Sequence, residues 1–134
     1  MAKESPVLTT FSIDDSAGVL RALVNDNYSV EFATPRAAQD TTGADKTAME
    51  RILLLGDFSA QITNGFNDAA NTTHDVFKTV CSAAVVRTMS IVVSGQTLSN
   101  EVLLLDYVHG RGADGSYTVR SNAVLQDGTA PSWT

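Results

Sequence analysis

From Phe58 to Thr63 the chain alternates without interruption, with Phe58, Ala60 and Ile62 apolar or small and Ser59, Gln61 and Thr63 polar between them. Successive side chains of a strand point to opposite faces, so a period of two suits a half-buried strand and is of no use to a helix. The same period appears upstream, where Tyr28, Val30 and Phe32 alternate with Ser29 and Glu31 until Pro35 ends the run. "VLTTFSIDD", from Val7 to Asp15, is rich in β-branched and aromatic residues and closes in an Asp-Asp-Ser-Ala-Gly turn. Downstream, "AAVVRTMSIVVSG" and "NEVLLLDYVHG" favour strands separated by "SGQTLSN", and "GSYTVRSNAVL" follows the turn "GRGADG". Asp114-Gly115 between two strand-like runs is a strong hairpin signal. These features predict a mainly β chain.

Two segments break the pattern. Residues 33–46, "ATPRAAQDTTGADK", carry neither period and read as a long early loop, of a length that in compact domains is usually functional. Ala48 to Leu55 fits helix or strand by periodicity, and the Gly56-Asp57 break before Phe58 favours strand–turn–strand. The second exception is "NGFNDAANTTHDVFKTV". Thr72 followed three residues later by Asp75 fits a capping box, and Val76, Phe77 and Val80 then share one apolar face. A short helix over residues 73–80 is predicted, with Phe77 as its core anchor and His74 a surface or groove-packing residue.

The 134 residues allow one core, and a length near this buries roughly two thirds of the unfolded surface. Hydrophobic residues make up 43% and charged residues 18%, too apolar for disorder and low in charge for a solitary surface, which points to partners. No apolar run reaches the ~20 residues of a membrane span, and "MAKESPVLTTF" has no apolar signal core, so the chain is expected to stay in the cytoplasm without a membrane partner. The net charge of −6 opposes tight binding of nucleic acid, which needs Lys and Arg on phosphates. The single cysteine, Cys81, among small apolar neighbours, is expected to be a buried, inert thiol, and it offers neither disulfide nor zinc chemistry.

Catalytic constellations are not visible. His74 and Asp75 are adjacent, and on a helix they point about 100° apart, which a triad cannot use. His109 lies three residues after Asp106, and on a strand those side chains face opposite ways. GxSxG, P-loop, GxGxxG, HExxH and EF-hand patterns are missing. The expectation is a non-enzyme without catalytic, metal or cofactor residues and without a cofactor.

The order of these parts resembles the major tail proteins of long-tailed, siphovirus-type bacteriophages, the subunits of the tail tube. The likeness runs over nearly the whole chain, through "DKTAMERILLLGDFSAQITNGFND", the helix entered by "GFNDAANTTHDVFKTV", and the closing "GADGSYTVRSNAVLQDGTAPSWT". The resemblance implies a β-sandwich or barrel with one flanking helix, in a single domain with irregular terminal arms at about 1–7 and 127–134. It implies homohexameric rings stacked into a tube for genome ejection, assembled in the host cytoplasm and carried in the virion tail. Implied partners are the tape measure protein in the lumen, the tail terminator, the tail tip or baseplate proteins, and double-stranded DNA passing without tight binding.

The early loop stands where a ring-stacking loop belongs, with Thr34, Pro35, Arg36, Gln39, Asp40, Asp45 and Lys46 as its contact residues. An acidic wall repels DNA, and screening limits that effect to about 8–10 Å. The lumen candidates are therefore Glu31, Glu50, Asp57 and Glu101, with Ser59, Gln61 and Thr63 as a neutral polar face. Thr72, Asp75, Phe77 and Trp133 are the helix and interface anchors, Trp133 because tryptophan is frequent at binding hot spots. A tail terminator, a head–tail joining ring or a capsid decoration protein fits the same pattern, and a monomeric β-sandwich binding module is the reading from another class.

Overall fold

A computed structural model describes residues 8–134. Among them the elements follow in the order β1 (Leu8–Asp14), β2 (Leu20–Ala22), a 3-10 turn (Val24–Asp26), β3 (Asn27–Ala33), β4 (Arg36–Asp40), β5 (Arg51–Gly56), β6 (Ser59–Gly65), α1 (Thr73–Phe77), β7 (Arg87–Val93), β8 (Gln96–Leu104), β9 (Val108–Arg111) and β10 (Tyr117–Leu125). Eight strands form one antiparallel sheet in the order β2-β1-β7-β8-β10-β6-β3, with β9 also on β10, while β4 and β5 pair only with each other. Among the described residues the protein is mainly β with a lone short helix.

The sheet cannot be flat. Its two edges, β2 and β3, are joined by Leu23 to Asp26 alone. Seven strands laid flat would set those edges about 29 Å apart, whereas the link from Ala22 to Asn27 reaches at most about 18 Å. The sheet therefore rolls until its edges approach. Trp133 spans the same closure: it bridges to Leu98 of β8, and its ring lies 6.0 Å from that of Phe32 on β3.

The register assigns each residue to a face. Phe11 and Ile13 of β1, Met89 and Ile91 of β7, Leu98 and Val102 of β8, Val119 and Ala123 of β10, and Ala60 and Ile62 of β6 point inward and are buried. Leu23, Phe58, Val76 and Phe77 complete that core. Phe77 packs its ring 5.7 Å from that of Tyr107. Phe77→Ala should destabilise the subunit by about 3–5 kcal/mol, as aromatic truncations in cores do. Urea unfolding checks this, and an unchanged midpoint would contradict the placement.

Several sequence expectations need correction. Residues 33–46 are not structureless, because they contain β4, whose ladder with β5 runs from Arg36 opposite Gly56 to Asp40 opposite Arg51. A strand with neither face buried needs no alternation, so its period is silent. "SGQTLSN" is mostly strand: only Ser94 and Gly95 turn, both with positive φ (50° and 81°), and β8 resumes at Gln96. Such a two-residue turn matches the twist of the flanking strands. Tyr28 leaves the apolar face of β3 because a register shift falls between Asn27 and Ser29, and it is 70% exposed.

The helix is shorter than predicted, Thr73–Phe77 rather than 73–80, and its capping box does not form. Thr72 holds the N-cap position, yet its hydroxyl donates to the carbonyls of Asn67 and Ala69 and caps nothing in the helix. Asp75 instead accepts from the Asn71 amide at 2.8 Å and from Lys78 Nζ at 3.0 Å. Those donors, the amide foremost, hold its carboxyl below the ordinary carboxylate range. Cys81 is exposed rather than buried, because the chain leaves the helix in turns that put half-buried Val80 against the core and leave the next residue outside. The tail 127–134 is irregular but docked, since Thr97 and Thr134 exchange two backbone bonds of 2.9 Å. The expected arm at 1–7 and the strand start at Val7 lie outside the described residues.

Candidate assembly surfaces

β3 and β6 continue past the sheet into β4 and β5, so residues 27–65 form one long hairpin whose outer half is an arm. At its root the Asp57 amide donates to the Pro35 carbonyl at 3.0 Å. Along it Arg36 Nε donates to the Leu54 carbonyl at 2.7 Å. At its tip the Thr42 hydroxyl and amide both donate to Asp40, which keeps that carboxyl below its ordinary range. The arm thus carries the whole set Thr34, Pro35, Arg36, Gln39, Asp40, Asp45 and Lys46, all of them exposed.

The arm also exposes residues the sequence reading missed. Met49, Ile52, Leu53 and Leu54 are exposed, and Leu55 is 90% exposed. A two-stranded hairpin is marginal alone, and a contiguous apolar stripe on a surface marks a contact site. The run "RILLL" contained the signal, but a strand of leucines reads as core until its partner strand is seen to be bare on both faces.

The outward face of the rolled sheet is polar. Glu31 stands opposite Gln61, and Ser59 opposite Ala33, on the β3–β6 ladder. Thr63 stands opposite Arg120, and Gln61 opposite Asn122, on β6–β10. Glu101, opposite Thr88, shares this face and accepts from the Thr88 hydroxyl at 2.6 Å. Five of the lumen candidates are therefore brought together: Glu31, Ser59, Gln61, Thr63 and Glu101. Glu50 and Asp57 are not among them, since Glu50 belongs to the arm's turn and Asp57 to its root.

The opposite end of the fold from the arm is aromatic. Phe66 lies 5.0 Å from His74, 6.0 Å from His109 and 5.4 Å from Tyr117, ring to ring. His74 Nδ1 is 3.1 Å from the Tyr107 hydroxyl, and His109 Nδ1 is 2.6 Å from that of Tyr117. Burial, and then the nearby Tyr117, pushes the pKa of the Tyr107 hydroxyl up to about 12, so it stays neutral. Asp106 turns away from His109 and accepts from the Asn122 amide at 2.9 Å. Both histidines are thus engaged with tyrosines, and among the described residues no group of three or more His, Cys, Asp or Glu gathers to hold a metal. No helix among them is long and apolar enough to cross a membrane.

No family model matches the sequence, and no curated protein matches it. The solved structures are more informative. A chain from the tail of an empty gene transfer agent (GTA) particle, obtained by helical refinement with C6 symmetry, superposes with a TM-score of 0.76 over 99% of this chain and 99% of its own. The chain has the fold of this GTA tail chain. A chain from the virion of a native GTA particle gives a TM-score of 0.73 with the same coverage. Both are 13% identical to the present sequence, so what the tail fold keeps is the backbone arrangement rather than the side chains. In this tail fold the arm, the polar face and the aromatic end are three separate surfaces of one rolled sheet.

Proposed function

We propose that this chain is a structural tail-tube subunit, which assembles as rings of six stacked into a hollow tube through which double-stranded DNA leaves the particle. The observation that carries this reading is the full-length likeness to a chain of an assembled, helical, C6-symmetric tail. The surfaces support it. A head-to-tail contact that closes makes a ring, and a second one that does not close makes a filament. The arm, exposed and apolar, supplies the second contact. The sheet edges, which would otherwise invite aggregation, are covered by neighbours in the ring. The tape measure protein in the lumen, a tail terminator, and tip or baseplate proteins are the partners such a tube requires. The exposed Trp133, at 44%, is an anchor for one of these contacts.

On this reading the polar face carrying Glu31, Gln61 and Glu101 lines the lumen. DNA bears one charge per ~1.7 Å of axis, so acids repel it and a lysine holds it. Glu31→Lys is the clean test, because Glu101→Lys also loses the bond from Thr88. Tubes of Glu31→Lys protein should form at normal length and retain short duplex DNA on sedimentation, with retention falling steeply as salt rises. DNA passing into the pellet no more than with wild-type tubes at low salt would return Glu31 to an outer surface.

A terminator or joining ring shares the fold but stops at one hexamer. Sedimentation velocity at rising protein concentration distinguishes them: a tube subunit gives species that grow without limit. A single plateau at six copies supports the ring and contradicts the tube.

A further inference from the structure

The register places two unlike surfaces at opposite ends of the same strands. β6 leaves the arm's root at Ser59, opposite Val124, and reaches Gly65, opposite Thr118. Its seven residues separate the two ends by about 20 Å. Phe66 and Tyr117 follow directly at the far end, where Tyr117 stands opposite Arg111 and His109 opposite Val119. Phe66 is 42% and Tyr117 43% exposed, yet Phe66 is already fixed by three ring contacts. A rigid, half-exposed aromatic surface loses little conformational freedom on binding, and an apolar strand is what it would cover.

We propose that this aromatic end is the receptor for the arm of a second copy, so that the β5 segment Ile52–Leu55 of one subunit seats on Phe66 and Tyr117 of a subunit in the adjoining ring. The inference rests on the tube reading and adds to it the identity of the receiving surface. Its basis is the arrangement within one chain. The exposed apolar stripe and the exposed aromatic platform lie at opposite ends, so copies repeated along the strand direction bring one to the other in every layer. The five residues of β4 extend about 17 Å beyond the body, comparable with the height of the sheet. An arm of that reach lies alongside the next subunit, with Leu55, nearest the root, meeting its aromatic rim.

Cysteine cross-linking tests the contact. Cys81 is exposed, and Cys81→Ser gives a background without thiols. In that background Leu55→Cys combined with Tyr117→Cys should form disulfides between subunits under mild oxidation, giving a ladder of multimers on denaturing gels from assembled tubes and none from dilute subunits. Leu55→Cys with Leu105→Cys probes another exposed apolar stretch, beside residues 83–86. Tubes in which only this second pair links would overturn the inference while leaving the tube reading intact. Phe66→Ser should raise the concentration needed for assembly about tenfold or more, as loss of an aromatic anchor does, with the melting temperature of the subunit little changed. A folded Phe66→Ser protein assembling at the wild-type concentration would also overturn it. Wild-type protein that makes no tubes at all would instead remove the tube reading and this contact with it.

Discussion

Replacing residues 36–56 by an Asn-Gly turn should leave a folded subunit that no longer assembles. The strands at the cut are already at hairpin distance, because the Asp57 amide bonds the Pro35 carbonyl. A two-residue turn therefore closes β3 onto β6 without moving either. Shortening a connection of this length lowers the closure cost by about 2 kcal/mol on polymer arguments, although short loops depart from them. The body loses little packing with the arm, since no residue of β4 or β5 is buried, and Gly56, at the root, lies beside Ala130. Melting should stay within a few degrees of wild type, as expected when few stabilising contacts are lost. Assembly should vanish at every concentration tried, because the Ile52–Leu55 stripe is gone. Tubes of ordinary length from the armless protein would show that stacking uses another surface.

An equally large effect on stability should come from Arg87. This guanidinium is 1% exposed on the inner face of β7, among core residues. It donates through one nitrogen to the carbonyls of Asp14 and Val76 and through the other to the Thr79 hydroxyl. It thus ties the end of β1 to the last turn of α1. Burial pushes its pKa down from the ordinary value, against the opposing pull of the Asp15 and Asp14 carboxylates, and an arginine remains charged even so. Arg87→Met fills the space but strands those acceptors in the core. The expected cost is about 3–5 kcal/mol, or about 10–20 °C in melting temperature for a chain of this size. Arg87→Lys should recover only part of this, because an ammonium cannot present the planar fork that serves separated acceptors. A melting temperature within 2 or 3 °C of wild type for Arg87→Met, on the order of experimental scatter, would contradict this view of the helix anchor.

Arg87 also shows where the sequence falls silent. In "AAVVRTMSIVV" the alternation of Arg87, Met89 and Ile91 with Thr88 and Ser90 puts it on the apolar face, but nothing local names what satisfies a charge there, since its partners Asp14 and Val76 are remote or on another element. The clean alternation at Phe58–Thr63 was legible because β6 has one buried and one exposed face. The Asp-Gly hairpin at 114–115 was legible because turn chemistry is local. β4 was not, because an arm buried on neither face has no period. Cys81 was misjudged for a different reason: a free cysteine among small apolar neighbours is usually buried, and only the turns that follow Phe77 put this one outside. Glu31, Gln61 and Glu101 were grouped by polarity, and only the register shows that they share a face while Glu50 does not. The aromatic end escaped notice because Phe66, His74, Tyr107, His109 and Tyr117 come from four separate stretches and meet only when β6, α1, β9 and β10 are in place.

The tube reading stands or falls on what the purified protein builds by itself or on a short tail-tip seed. Cryo-electron microscopy with helical reconstruction is the direct measurement. It should show open-ended hollow tubes of stacked rings with six copies each, Glu31 and Gln61 facing the lumen and residues 36–56 crossing from one ring to the next. Isolated rings that never stack, or monomers at every concentration with and without the seed, would contradict it.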